Sequence, residues 1–131
     1  MKKMHFKDKY LIYTTKIFKD ETDLKSVEEI INYLKDKINT HKIATLIAVF
    51  DHYSHTNSLI ESNIADDIKD AKNIIFCFGK EIPSPIVLGV RPRSIGVVDL
   101  GDSFVISFME APNPVANETM SEWILGIKKD N

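Results

Sequence analysis

Two short stretches of this chain hold the residue types that could do chemistry. The first is Asp51-His52, with His55 three residues later. A carboxylate beside an imidazole can orient the ring and hold its proton, which suits acid–base work or metal ligation. Adjacent residues of a strand point to opposite faces, so the competing reading has Asp51 accepting turn N–H groups and His52 packing beside the next helix. His52 and His55 also have the His-x-x-His spacing, which on a helix puts both imidazoles on one face, as a metal pair requires. The segment is expected to be a strand end and turn, where two solvated or capping histidines are the alternative. Asp66, Asp67 and Cys77 could complete a metal set only through the fold.

The second stretch is Arg91-Pro92-Arg93, which holds both arginines of the chain. Guanidinium forks match carboxylate and phosphate oxygens. With Ser84 and Lys80 nearby in sequence, this stretch reads as a site for a small anionic ligand. The competing reading is ion pairing with Asp66, Asp67 and Asp70, or across a dimer. The lone cysteine, Cys77, lies between Phe76 and Phe78 in an apolar run. A reactive thiolate wants an electropositive, partly exposed setting, so Cys77 reads rather as a small buried hydrophobe. No complete nucleophile–base pair is legible. No catalytic residue or cofactor is therefore assigned.

The elements that must position these residues follow from periodicity. Tyr10 to Lys19 alternates and is rich in β-formers, which predicts a strand. Ser26 followed by Glu29 is a capping box. It opens a helix whose apolar stripe is Val27, Ile30, Ile31, Leu34 and Ile38. Ile43 to Phe50 predicts a buried strand ending at Asp51-His52. A second helix is expected after a polar turn over 53–57, with Leu59, Ile60, Ile64, Ile68 and Ala71 as its stripe. The run Ile74 to Phe78, stopped by Gly79, predicts a central strand buried on both faces. Proline is tolerated in a first helical turn, so Pro85 to Gly89 predicts one short helix. Ser94 to Leu100 and Ser103 to Met109 form a hairpin through Gly101-Asp102. Asn117 is expected to cap a C-terminal helix carrying Met120, Trp123, Ile124 and Ile127. Trp123 with Met120 either anchors a protein partner, together with a sheet edge, or packs within the monomer.

The order is β-α-β-α-β-(α)-β-β-α. It predicts an α+β domain with a single mixed, mainly antiparallel sheet of about five strands and helices largely on one face. The 131 residues fit one domain, with its core at about 10–127. The formal net charge of −2 gives no basic footprint for nucleic acid. The charged N-terminus lacks a signal-peptide core, and no apolar run approaches the ~20 residues of a membrane span, so a cytoplasmic, membrane-free protein is expected.

Four places carry a family likeness: the strand ending in Asp51-His52, the strand closing in Phe78-Gly79, the helix at Pro85-Ile86-Val87-Leu88, and the turn Ala111-Pro112-Asn113-Pro114. Together they make residues from about 10 to 125 resemble the bacterial domain-of-unknown-function 302 family. The chain departs from that pattern in Tyr53-Ser54-His55, where the family has small residues, and in Lys80-Glu81, where it has Asn-Pro. The resemblance implies a compact α+β domain, often a homodimer, with no established reaction. The expected role is small-ligand binding or scaffolding, at a site near Asp51, His52, Ser84, Arg91 and Arg93. The rivals are a metal or haem protein, or an enzyme, using Asp51-His52 and His55, and an interaction module working through Trp123.

Overall fold

The computed structural model describes residues 1–129. Six strands form one sheet: β1 (Lys2–Phe6), β2 (Tyr10–Phe18), β3 (Thr45–Phe50), β4 (Asp70–Cys77), β5 (Arg93–Asp99) and β6 (Ser103–Met109). Three α-helices accompany them: α1 (Val27–Thr40), α2 (His52–Asn57) and α3 (Pro114–Leu125). The strand order is β1-β2-β6-β5-β4-β3, and every neighbouring pair is antiparallel. The expected α+β class holds, but the sheet is antiparallel throughout rather than mixed, and it has six strands, not five.

The additional strand is β1, which the sequence hides for two reasons. All five of its residues are exposed, so no burial pattern marks it. Its turn to β2 uses Lys7 and Asp8 at φ 53° and 58°. A hairpin turn with two successive positive φ values normally advertises itself by Asn-Gly or Asp-Gly, and the three residues here are Lys7, Asp8 and Lys9. Lys2 and Lys3 charge this outer strand, a common guard against edge-to-edge pairing.

One face of the sheet is covered by α1 and α3. Val27, Ile30, Ile31, Leu34 and Ile38 of α1 pack with Met120, Trp123 and Ile124 of α3 over Ile17, Ile74, Phe76, Ile95, Val97, Phe104, Ile106 and Phe108. Each such aliphatic or aromatic side chain contributes roughly 1.5–3 kcal/mol on leaving water. The cap of α1 forms as expected: the Glu29 N–H donates to Ser26 Oγ at 3.1 Å. The Glu29 carboxylate accepts from the Lys25 N–H, one residue before the cap. Trp123 is only 8% exposed and stacks on Phe78 at 5.8 Å. Its packing is therefore within the monomer.

Three expectations change. The second helix lies earlier than its apolar stripe predicts: α2 occupies the stretch read as a turn, and 58–69 is irregular. Leu59 and Ile60 are exposed, and Ala71 belongs to β4. Ser62 and Asn63 favour local side-chain bonding over a helix interior. The strand β3 is an exposed edge rather than buried, because it has a partner on one side only. A bulge between Leu46 and Ala48 turns Ile47 outward. β4 lies next to that edge, not at the centre. It alternates: Ile74 and Phe76 are buried under the helices, while Asn73, Ile75 and Cys77 on the other face are half-buried.

Asn117 does not cap α3. That role falls to Asn113, whose side chain accepts from Val115 N. Asn117 is buried one turn in and holds Ala111 by both backbone groups, at 2.8 and 2.9 Å. The predicted hairpin turn is present, with Gly101 at φ 96°. No helix among the described residues is long and apolar enough to cross a membrane.

Candidate functional site

Residues 78–92 connect the end of β4 to β5, and the stretch from Ser84 to Arg93 runs through their second half into β5. Pro85–Val90 is a 3-10 segment. It carries Val87, Val90 and Arg91 back over the rim of the sheet, beside the start of α3. Two cavities open on either side of it, and Arg91 and Arg93 line both. The first is a slot of ≈ 100 Å³ between Phe78, Val87, Val90, Ala111, Pro112 and Ala116. The second is a groove of ≈ 380 Å³ on the sheet face away from α1 and α3.

Arg93 is the central charge. Its position pairs with Phe76 of β4, which puts it on the covered face, and it is 8% exposed. One terminal nitrogen donates to the Val90 carbonyl at 3.2 Å and the other to the Met109 carbonyl. Its Nε is buried with no acceptor. No carboxylate among the described residues lies within ion-pair distance of it. Two carbonyls supply dipoles but no countercharge. Burial accordingly pushes the guanidinium below its ordinary pKa, since desolvation penalises the charged form. Arg91 is half-buried and donates to the Glu81 carbonyl at 2.7 Å. It too lacks a carboxylate partner among the described residues, so the ion pairs with Asp66, Asp67 or Asp70 do not form.

The groove has a polar floor. Asn73, Gly96 and Ser107 sit side by side on β4, β5 and β6. The Asn73 side chain donates to Ser94 Oγ at 3.1 Å. A Cβ on Gly96 would meet Asn73 Nδ2 at 3.6 Å and Ser107 Oγ at 3.9 Å, so the missing side chain keeps the centre of the floor low. Ile12 and Met109 form the wall toward β2.

The other candidate residues lie elsewhere. Asp51 caps α2, accepting from Ser54 N at 3.0 Å, and this bond draws its carboxyl below the ordinary value. Its distance to Lys72 Nζ is 4.0 Å. His52 Nδ1 lies 3.4 Å from Asn73 Oδ1 and donates to it in that tautomer. His52 and His55 fall on a helix after all, and both rings rest on Phe50, at 5.1 and 5.4 Å between centroids. No group of three His, Cys, Asp or Glu converges among the described residues. Ser84 precedes the 3-10 segment and makes no side-chain cap bond. Cys77 is half-buried and lines the slot, rather than being the small buried hydrophobe expected.

The fold thus brings Arg91 and Arg93 together and links His52 to the groove through Asn73, while Asp51, His55 and Ser84 stay outside both cavities. Sequence reasoning missed Asn73, Ser94, Gly96 and Ser107. Their signal was small or polar residues at alternate positions in strands otherwise rich in β-branched side chains.

Comparison with known proteins gives a family and a fold. The sequence profile described as "Family of unknown function (DUF6858)" matches residues 1–129, so the chain belongs to that family. No curated protein matches it. Among solved structures, it is similar to the crystal structure of an uncharacterised conserved DUF302 protein from Bacillus stearothermophilus. The TM-score is 0.57 at 13% identity, over 85% of this chain and 80% of that one. The family resemblance drawn from the sequence is met at the level of the fold.

Proposed function

We propose that this member of the DUF6858 family binds a small anionic ligand at the Arg91–Arg93 turn. The observation that carries the reading is the buried Arg93 guanidinium, which has a free Nε, no carboxylate partner among the described residues and a cavity on each side. A buried charge without a countercharge is costly, and a bound anion would offset that cost. The ligand-binding role rests on Arg91 and Arg93. Asp51 and Ser84 have no part in it, and His52 acts only by holding Asn73.

The test is native mass spectrometry of the protein as purified, followed by thermal melts against small anions. A co-purifying organic ion, or a saturable rise in melting temperature lost in Arg91→Ala, supports the site. An anion at a hundredfold excess over its Kd would stabilise the fold by about 2.7 kcal/mol. A metal or haem mass would instead move the reading to His52 and His55. Melts unchanged by every anion would remove it.

A second reading concerns assembly. Register puts Met4, Ile12 and Met109 in one row and Phe6 and Tyr10 in the next, all on the face that no helix covers at this end. Met4, Phe6, Tyr10 and Met109 are all exposed. The charged positions of these strands on that face are few, Lys2 and Lys16, so two copies can meet there without strong repulsion. A homodimer through this face predicts that Phe6→Lys with Met109→Lys yields a monomer in light scattering. A wild-type monomer at high micromolar concentration would end the idea.

A further inference from the structure

We infer that the anion is a short monocarboxylate whose apolar tail fills the slot between Phe78, Val87, Val90 and Ala116. The inference deepens the proposed function and rests on it. Three observations choose the class. The first is charge. The slot contains one deeply buried cation, Arg93, while Arg91 is half-buried, within reach of water, and already donates to Glu81. One negative charge balances Arg93. A phosphate or dicarboxylate would leave a second charge against apolar walls, which a low dielectric penalises.

The second is the wall. Apart from the two arginines, Asn113 and the Cys77 thiol, the lining is Phe, Val, Ala, Pro and a glycine. Such a surface favours methylenes over hydroxyls or further charges. The third is size. A slot of ≈ 100 Å³ holds roughly three to eight non-hydrogen atoms, taking one water-sized unit as about 12–30 Å³. That range spans acetate to hexanoate. The start of α3 also faces the slot through Asn113 and Ala116, adding a partial positive charge on the same side. A carboxylate oxygen would accept from the Arg93 guanidinium, which has five N–H groups and only two acceptors among the described residues, and the carboxylate stays ionised at neutral pH.

The experiment is titration calorimetry with acetate, butyrate and hexanoate, and with 1-butanol, succinate and inorganic phosphate as controls, in a chloride buffer. Butyrate is expected to bind at least tenfold more tightly than phosphate, succinate or butanol. Each methylene added from acetate should tighten binding about fourfold until the slot is full. Arg93→Ala costs stability as well as the charge, because two carbonyls lose their donor, so the slot is also tested by Val87→Phe. This change fills the cavity from a partly exposed position and should abolish butyrate binding with the melting temperature retained. Phosphate or succinate binding as tightly as butyrate would overturn the monocarboxylate and leave the anion site standing. Butanol binding equally well would overturn both, and so would the absence of binding by every probe.

Discussion

Two turns of this protein each gather charged groups at a strand end, and only one of them shuts a charge away from water. At the Asp51–His55 turn the groups lie at the surface: the carboxylate caps a six-residue helix, and the imidazoles lie on Phe50. At the Arg91–Arg93 turn a guanidinium is sealed between β6, α3 and a 3-10 segment. The first cluster has the more suggestive residue types. The second has the more consequential environment, because an interaction in a low-dielectric rim is worth far more than the same pair in water. Residue type proposes a site, and desolvation decides whether it has energy to use.

The largest effect expected from this contrast is on Arg93. Arg93→Ala leaves the Val90 and Met109 carbonyls without donors and should lower stability by about 2–4 kcal/mol in urea denaturation. A loss below about 0.5 kcal/mol would mean that the rim is wet and the contrast false. Next comes a neutral group on the same dry side. Asn117→Ala breaks the paired bonds to Ala111 and should cost about 2–3 kcal/mol, with Asn117→Asp recovering only part because the donated bond to the Ala111 carbonyl is lost.

On the wet side the effects shrink. The Asp51 carboxyl lies below its ordinary value of 3.8 because Ser54 N–H donates to it. A depressed carboxyl contributes stability above the unfolded value and loses it as pH falls through the folded one. Wild type and Asp51→Asn should therefore differ slightly at pH 7 and converge as the pH drops below 3.8. A gap that widens in acid would reverse the assignment. The smallest effect belongs to His52→Ala with His55→Ala: melting temperature and anion binding should stay within replicate scatter. A clear loss of ligand affinity in that double variant would show that the Asn73 link to the groove carries energy.

Local signals were legible where the chain makes its own structure. The cap at Ser26, the stripe of α1, the Gly101-Asp102 hairpin and the apolar run of β4 depend on residues within a few positions of one another. The stripe over Leu59 to Ala71 misled for the opposite reason. Its spacing is helical, but Ala71 is taken by pairing with Val98 of β5, and Leu59 and Ile60 find nothing to pack against. The candidate site divides the same way. Arg91 and Arg93 were visible as the only arginines, but nothing local says that Arg93 turns inward.

The sequence by itself determined the class of the fold and most of its elements, and it set both arginines of the chain in one turn, because propensity, capping and periodicity act over one or two turns of chain. Tertiary structure alone decided which side of each strand is covered. It also set Asn73, Gly96 and Ser107 in one row and stripped Arg93 of water. Those outcomes depend on strand neighbours such as Gly96 beside Ser107, 11 residues on, and Tyr13 beside Phe108, 95 residues on. Burial of a charge is a property of everything packed around it, and no short window of sequence contains that information.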